Sequence, residues 1–430
     1  MTSRLRITRD WATALGFAAL GLALRLWNLG SPKGKIFDEV YYATNAHSLL
    51  LNGVEVNAKT GQSEFIVHPP TGKWLIAGGI KLFGYNEFGW RFSAALVGSI
   101  SIVLMYFTAK ALFNKPFLSA FAASLILLDG LHLVHSRVAL LDIFLLLFIQ
   151  IAVLAFLHNK YWITSIALGL AISTKWSGLY LLIALALFAL LSDYRRFKFL
   201  GSSTSLRSVI ESKLTLRFLQ FGVLPIVTYI ATWAGWFASK TGWDRNWSPS
   251  VLKSFWHYHS EILNFHAHLT ESHPYEANPW SWLIQGRPTS LFYATPKNCD
   301  ASSCAQEVIA LGTPILWWTA TLTLAITIGF WISKREWQAE ILLVIVAASY
   351  LPWFAFQQRT MFSFYAIAFE PFLLLTIVYV FDKIPRNQRQ LTFIFGAIIL
   401  ANFLYFLPLY LGTPISYNSW HDHMWLPSWI

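Results

Sequence analysis

Two adjacent acidic residues, Asp38 and Glu39, are the side chains in this sequence most suited to proton-transfer chemistry. They lie near the start of the loop after the first apolar run, and they precede the aromatic residues Tyr41 and Tyr42. Carboxylates beside apolar aromatic residues are costly to desolvate, so a function is the expected reason for their presence. A carboxylate within hydrogen-bond reach of a hydroxyl can take its proton as a general base. The alternative is a solvated helix N-terminus, where both charges favour the positive end of the helix dipole.

Cationic side chains at or near the ends of apolar runs form a second set of candidates. Cations held where negative charge develops stabilise the departure of a phosphate, and arginine binds phosphate oxygens bidentately. Each of these side chains could instead only extend from an apolar helix to the lipid–water interface. The set consists of Arg91, Arg137, Lys175, Arg287 and Arg359.

Histidine and tryptophan residues supply further candidates for substrate binding. His68 and Lys73 lie within His-Pro-Pro-Thr-Gly-Lys, and His273 begins His-Pro-Tyr-Glu. A lone histidine is more often structural than functional. Trp280 and Trp282 lie in Pro-Trp-Ser-Trp just after that second motif and are candidates for stacking on a sugar. Most tryptophans in a membrane chain instead anchor it at the interface.

The elements that must position these residues are membrane-spanning helices. The chain has 430 residues, of which 56% are hydrophobic and 12% charged, against roughly 25% charged in a soluble domain. Many apolar runs approach the ~20 residues needed to cross a bilayer, and they do not alternate as barrel strands would. We therefore predict an all-α polytopic membrane protein with about eleven transmembrane helices. Their predicted residues are 11–29, 92–112, 117–134, 138–157, 161–177, 178–192, 218–238, 308–332, 338–356, 363–381 and 391–411.

The distribution of charge predicts the orientation of these helices. With the N-terminus in the cytoplasm, about half of the 32 Lys and Arg residues fall in short cytoplasmic segments, as the positive-inside rule requires. The C-terminus then lies outside, together with residues 30–91 (the first long loop) and residues 239–307 (the second long loop). Because this topology explains the net charge of +11, nucleic-acid binding is not expected. We predict one membrane-embedded domain over residues 1–430, without a separate soluble domain.

The two cysteines of the chain, Cys299 and Cys304, lie in the second long loop at a C-x4-C spacing. A cysteine pair on the oxidising side of a membrane predicts a disulfide bond that closes a short turn. The alternative is a pair of free thiols. Two sulfurs are too few for a typical zinc site, and the two long loops contain no Asp-x-Asp pair. We therefore expect no bound metal.

Several motifs, in this order, make the chain resemble the protein O-mannosyltransferase family. Phe-Asp-Glu after the first span and His-Pro-Pro-x-Gly-Lys further along the first long loop are each only moderately specific, but together they are a strong match. The second long loop carries the stretch most typical of the family. The loop has no room for the β-trefoil-type insert of eukaryotic members, so it resembles that of a bacterial member. The matching segments are residues 37–39, 68–73, 128–142, 174–178 and 268–288.

The resemblance implies an inverting membrane transferase of the GT-C type that takes mannose from a polyprenyl-phosphate carrier. Such a reaction needs one carboxylate to accept the proton of a Ser or Thr hydroxyl, and we assign this role to Asp38. Glu39 points in another direction and is expected to position the acceptor or to hold a neighbouring cation. The implied partners are polyprenyl-phosphate-mannose, acceptor proteins met during secretion and the lipid bilayer. No cofactor is implied, and the location is the plasma membrane.

Two other functions remain open from the sequence. A related GT-C transferase could act on a lipid or cell-wall glycan, because it would use the same early acidic motif and similar cations. A transporter or flippase would instead concentrate ionisable residues at the bilayer midplane and would often show repeated halves. The chain shows no internal repeat, and its ionisable residues cluster toward the predicted outer face. The carrier length, the acceptor proteins and the oligomeric state cannot be read from the sequence.

Overall fold

The computed structural model describes residues 2–57, 59–199, 213–297 and 299–430, and most of them are helical. The helices of the first half are α1 (Thr2–Leu26), α2 (Glu39–Asn52), α3 (Thr71–Phe83), α4 (Glu87–Phe113), α5 (Pro116–Leu127), α6 (Gly130–His135), α7 (Asp142–Leu157), α8 (Tyr161–Ile172) and α9 (Gly178–Phe199). Those of the second half are α10 (Lys213–Thr232), which contains a π-helical turn, α11 (Ala234–Ala238), α12 (Val251–His268), α13 (Pro314–Lys334), α14 (Trp337–Tyr350), α15 (Glu370–Asp382), α16 (Gln388–Leu411) and α17 (Tyr417–Asp422).

Within the described ranges, six helices are long and apolar enough to cross a membrane. They are α4, α9, α10, α13, α14 extended to Phe356 by a 3₁₀ turn, and α16. The apolar helices α5, α7 and α8 are shorter. The predicted membrane protein with a mainly helical fold is therefore confirmed, although length and composition do not establish eleven spans.

Several predicted helix boundaries were wrong because local chemistry ends the helix inside an apolar run. In the predicted span 308–332, the helix begins only at Pro314, since proline suits the first helical turn. In 363–381, residues Ser363–Ala368 form a 3₁₀ turn before α15. Asp129 interrupts 117–134, because its carboxylate accepts the His132 N–H and so starts a new helix.

The second long loop contains two β-strands that an all-α prediction excludes. Strands β1 (Thr289–Ala294) and β2 (Cys304–Ala310) pair antiparallel, and β2 also pairs with β3 (Ile415–Ser416). The sheet order is β1-β2-β3. Residues 308–310 of the predicted span thus lie in β2, where they pair with strand neighbours. This small sheet joins the second long loop to the segment that follows α16.

The helices pack around one large apolar core, and a smaller core forms where the two long loops meet Trp233 and Trp236. Helix α4 packs against α1, α3, α5 and α7. The smaller core joins Val54 and Ile66 of the first long loop to Tyr258 and Ile262 of α12. The Ile66 N–H donates to the Tyr258 hydroxyl at 3.2 Å. Contact between the loops holds them in a defined arrangement beside the helix bundle, and the candidate site lies between these layers.

Candidate active site

A cavity of about 240 Å³ lies where the two long loops meet the ends of α7, α9 and α14. Ionisable side chains come to its wall from distant parts of the chain. The charged and polar lining that bears on the chemistry consists of His68, Asp142, Lys175, His266, Arg359 and Tyr365. The rest of the wall is mainly apolar, as is usual for a pocket in which a few polar groups orient a ligand.

Asp38 lies beside this cavity at the N-cap position of α2. The alternative role as a helix cap is not supported, because among the described residues its carboxylate makes no capping hydrogen bond. The carboxylate instead accepts a hydrogen bond from the Tyr42 hydroxyl. Burial raises the pKa of Asp38 to about 6, nearby Lys175 opposes that shift, and Asp142 adds to it. A carboxylate with this pKa is ionised near neutral pH and still basic enough to accept a proton.

The backbone immediately before Asp38 is held in an unusual conformation. Phe37 has a φ of +46°, which is uncommon for a bulky residue and costs of order 1–3 kcal/mol. Its ring lies edge-on to those of His273, Phe362 and Phe364, at centroid distances of 6.1, 5.6 and 5.8 Å. These contacts from the second half of the chain maintain the strained residue and thereby fix where Asp38 points.

Glu39 serves a different purpose from Asp38, although the two are adjacent. Its carboxylate forms a bidentate ion pair with Arg91, with both N–O distances at 2.8 Å, and neither side chain is exposed. Glu39 also accepts the backbone N–H groups of Ile36 and Ala139 at 3.0 and 2.9 Å. The remaining donors of Arg91 bind the carbonyls of Leu29, Pro32 and Gly34. The pair thus connects the first long loop to α4 and to the turn before α7.

A second ion pair, between Asp142 and Lys175, faces the cavity. The Lys175 ammonium donates to both carboxylate oxygens at 2.9 and 2.8 Å and lies 4.9 Å from the Tyr365 ring centre. Asp142 begins α7, and Lys175 lies in the turn between α8 and α9. Both side chains retain a small exposed fraction. This pair is therefore a charged group that a ligand in the cavity can reach.

The His-Pro-Pro-Thr-Gly-Lys motif packs directly against the two turns that carry this ion pair. The Thr71 N–H donates to the Ser173 carbonyl at 3.1 Å. A Cβ at Gly72 would lie 2.8 Å from a methyl carbon of Leu141 and 3.2 Å from one of Thr174. Glycine is required there because the loop approaches these turns so closely. The motif thus places His68 in the cavity wall while Lys73 points elsewhere.

Arg359 and two histidines form another side of the cavity. His266 donates from Nε2 to the Val67 carbonyl at 2.8 Å, and its Nδ1 lies 3.2 Å from Nη2 of Arg359. The His68 ring centre is 5.1 Å from that of His266. Burial is the main reason that the pKa of both histidines is lowered, well below the usual value for His68 and to about 4 for His266. Both rings are neutral near pH 7.

Four other predicted cations form ion pairs or hydrogen bonds away from the cavity wall. Arg91 is paired as described, and Lys73 binds Glu55 at 2.8 Å. Arg137 donates to the carbonyls of Arg25 and Trp27 at 2.8 and 2.7 Å. These carbonyls at the end of α1 would otherwise lack intrahelical partners. Arg287 binds the Pro274 carbonyl at 2.6 Å and the Ile430 carbonyl at 2.7 Å.

The aromatic and cysteine candidates also lie outside the cavity. Trp280 is 71% exposed and meets the Phe354 ring at 4.6 Å. Trp282 is fully buried, and its indole N–H donates to the Ala277 carbonyl at 2.9 Å. His273 contacts Phe37, so it touches the residue that precedes Asp38 rather than the cavity itself. Cys299 and Cys304 are joined by a disulfide bond.

Four residues of the site were not among the sequence-based candidates: Tyr42, Asp142, His266 and Tyr365. Asp142 ends the family-like segment 128–142, and a carboxylate between two apolar runs was a usable signal. Tyr42 follows Asp38 by four residues, the spacing that places side chains on one helix face. His266 and Tyr365 carry no such signal. Only the packing of the second long loop and of the 3₁₀ turn before α15 brings them to the cavity.

The fold is similar to that of solved membrane glycosyltransferases. The structure of the S. cerevisiae protein O-mannosyltransferase Pmt1-Pmt2 complex bound to the sugar donor matches with a TM-score of 0.79 at 16% identity, covering 98% of this chain and 93% of that chain. ArnT from Cupriavidus metallidurans, bound to undecaprenyl phosphate, matches with a TM-score of 0.58 at 16% identity, covering 94% and 65%. The chain therefore has the GT-C fold of these membrane proteins, with a cavity lined by an acid and by cations inside it.

Sequence similarity narrows this class to one family. Residues 67–211 match the model of dolichyl-phosphate-mannose-protein mannosyltransferase, and residues 251–429 match that of the C-terminal four TMM region of protein-O-mannosyltransferase. The polyprenol-phosphate-mannose–protein mannosyltransferase of Mycolicibacterium smegmatis is 35% identical, over 98% of this chain and 93% of its own length. That of Mycobacterium tuberculosis is 34% identical, over 98% and 92%. The chain belongs to the protein O-mannosyltransferase family.

Proposed function

We propose that this enzyme transfers mannose from polyprenyl-phosphate-mannose to Ser or Thr hydroxyls of proteins, with Asp38 as the general base. Family membership and the names of the relatives support the donor and the protein acceptor. Asp38 takes the hydroxyl proton as the acceptor oxygen forms its bond to the anomeric carbon. The bond from that carbon to the phosphate oxygen breaks, the phosphate leaves with the electron pair, and the anomeric configuration inverts.

The observation that supports this mechanism is a basic carboxylate, Asp38, beside a cavity whose wall carries two cations. Asp38 is close enough to Lys175 and Asp142 for their charges to change its pKa, and its only described hydrogen-bonding side chain is Tyr42. Lys175 and Arg359 lie on the cavity wall. A base on one side and cations on another match what an inverting transfer from a phosphate requires.

We assign the leaving phosphate to Lys175 and Arg359. Lys175 is a compact point charge, and Arg359 presents a planar set of N–H donors that suits phosphate oxygens. Arg91, Arg137 and Arg287, which the sequence also suggested, use their donors on Glu39 or on backbone carbonyls. Their proposed role is to hold the loops in place. His68 lies in the cavity wall and is the candidate for contact with the sugar.

The proposal includes the membrane arrangement that the loop charges predict. About eleven spans, a cytoplasmic N-terminus and an external C-terminus place the two long loops, and so the reaction, outside the plasma membrane. The acceptors are then secreted or membrane proteins, and the enzyme acts as one membrane-embedded domain without a metal or cofactor. Labelling of single engineered cysteines in the second long loop by a membrane-impermeant reagent tests this orientation, since protection from the reagent would reverse it.

The experiment that tests the mechanism is mannose transfer by Asp38→Asn. The substitution keeps the size of the side chain and removes its basicity, so we expect transfer to a Ser/Thr-rich peptide to fall by about 10²- to 10⁴-fold. Binding of polyprenyl-phosphate-mannose should persist. Glu271→Gln, which neutralises an exposed carboxylate of the second long loop, serves as the control and should transfer normally. Transfer by Asp38→Asn at the control rate would remove Asp38 from the role of base.

A further inference from the structure

His266 links the first long loop to the cation on the opposite side of the cavity. It lies on the last turn of α12, and its ring is partly buried. One nitrogen binds the Val67 carbonyl, immediately before His68, and the other meets the guanidinium of Arg359. Residues 67, 266 and 359 come from separate regions of the chain. The imidazole is therefore the shared contact of three segments that surround the cavity.

The two contacts of the ring require one tautomer. A carbonyl oxygen can only accept, so Nε2 must carry the hydrogen that it donates to Val67. In a neutral ring, Nδ1 then has the free lone pair and accepts from Nη2 of Arg359. Burial, together with the charge of Arg359, lowers the pKa of His266 to about 4. The ring therefore stays neutral over the pH range in which Asp38 titrates, and the contact with Arg359 is retained.

Arg359 has unused hydrogen-bonding capacity in the cavity wall. Its Nε–H is buried and has no hydrogen-bond partner among the described residues. A buried donor without a partner is costly, so an acceptor for it is expected in the occupied enzyme. The contact with His266 uses Nη2, and among the described residues no other hydrogen bond of the guanidinium is seen. Because the group is planar, a contact at one nitrogen restricts the direction of all five N–H bonds.

We propose that His266 is a positioning residue that orients the Arg359 guanidinium toward the phosphate of the lipid-linked donor. This inference rests on the proposed function, because it assumes that Arg359 binds that phosphate. His266 does not touch the reacting atoms in this mechanism. The contact with His266 orders the Arg359 side chain before the donor binds, so less conformational entropy is lost on binding. Immobilising a long side chain has an entropic cost, and removing it in advance is expected to change the affinity by about 3- to 10-fold.

The test compares two substitutions of His266 in the full-length enzyme. His266→Phe keeps a ring of similar shape but loses both hydrogen bonds, so we expect the KM for polyprenyl-phosphate-mannose to rise about 3- to 10-fold while kcat changes less. His266→Gln can accept from Arg359 and donate to Val67, and it should restore most of the affinity. An unchanged donor KM in His266→Phe, or a KM in His266→Gln as high as in His266→Phe, would overturn the positioning role.

A matched control comes from the same helix. His257 also lies on α12 and binds a side chain, Asp244, at 3.1 Å, but it is not part of the cavity wall. His257→Phe should leave the donor KM unchanged. If His266→Phe does not yield folded protein, His266→Asn takes its place, because the shorter side chain cannot reach both partners. The fall of mannose transfer at acidic pH, which reflects protonation of Asp38, should occur at the same pH in His266→Gln and in the wild type. His266 does not titrate in that pH range.

Arg359→Gln separates a failure of this inference from a failure of the proposed phosphate site. A raised donor KM in Arg359→Gln with no effect of His266→Phe rejects the positioning role alone. An unchanged donor KM in Arg359→Gln rejects the phosphate site and the inference together. If the phosphate site and the positioning role are both correct, adding His266→Phe to Arg359→Gln should change the donor KM little further. The two side chains would then act through one contact.

Discussion

Two of the buried ion pairs in the first half of the molecule, Glu39–Arg91 and Asp142–Lys175, contain the same kinds of charge but differ in whether a ligand can reach them. Both side chains of the first pair are fully buried, whereas those of the second are 4% and 11% exposed. Glu39 and Arg91 also use their remaining capacity on backbone groups. Lys175 and Asp142 instead meet a cavity.

This difference explains how the adjacent residues Asp38 and Glu39 can have different roles. Asp38 and Glu39 are neighbours in sequence, yet Glu39 pairs with Arg91 and Asp38 lies within the electrostatic reach of Lys175. Breaking a fully buried ion pair lowers stability, because removing one partner leaves the other charge buried and unpaired. A partly paired charge at a cavity can respond to a ligand. The first pair is therefore expected to control stability and the second to control catalysis.

The largest expected effect is on stability, in Glu39→Gln. The substitution leaves the Arg91 charge buried without a counter-ion, which should cost about 3–5 kcal/mol. The equivalent change at the cavity, Asp142→Asn, should cost about 1–3 kcal/mol, because the Lys175 ammonium retains some access to water. Thermal unfolding of the detergent-solubilised proteins measures both losses. Equal losses in the two variants would mean that the fully buried pair and the pair at the cavity do not differ in their contribution to stability. Glu271→Gln serves as the unperturbed reference.

An intermediate effect is expected from pH alone. The base must be ionised to act, and the pKa of Asp38 is about 6. Mannose transfer should therefore reach a plateau above about pH 7 and fall about tenfold for each pH unit below 6. The measurement is kcat/KM for the donor between pH 4.5 and roughly 8, with the fraction of folded protein followed in parallel. If kcat/KM instead fell only near the ordinary pKa of an aspartate while the protein stayed folded, this would contradict the buried environment of Asp38.

The smallest expected effect is a shift of the acid limb of this pH profile by the second ion pair. The negative charge of Asp142 raises the pKa of Asp38 and the positive charge of Lys175 lowers it. Asp142→Asn should therefore move the limb to lower pH and Lys175→Gln to higher pH, each by at most about one unit. Each profile is normalised to its own plateau, because Lys175→Gln also weakens phosphate binding. Shifts in the same direction would show that the two charges do not act on Asp38 separately.

A helical membrane protein was predictable because a bilayer imposes a length and a composition on each span. Residues 87–113 and 388–411, for example, form helices where apolar runs at 92–112 and 391–411 predicted them. The β-hairpin of the second long loop was missed because its strands are short and one continues directly into an apolar run. Of the five cations that the sequence suggested, Lys175 and Arg359 lie on the wall of one cavity. Asp38 lies near Lys175, whereas Glu39 is paired with Arg91.

Residue types and their order along the chain were enough to indicate a membrane transferase with an early acidic motif, because apolar length and motif spacing are local properties. Arg91, 52 residues from Glu39 along the chain, decides that Glu39 rather than Asp38 forms the ion pair. The roles of Lys175, His266 and Arg359 likewise depended on contacts between distant segments. Only tertiary structure decides such questions, because burial and the distance between charges are set by how helices and loops pack together.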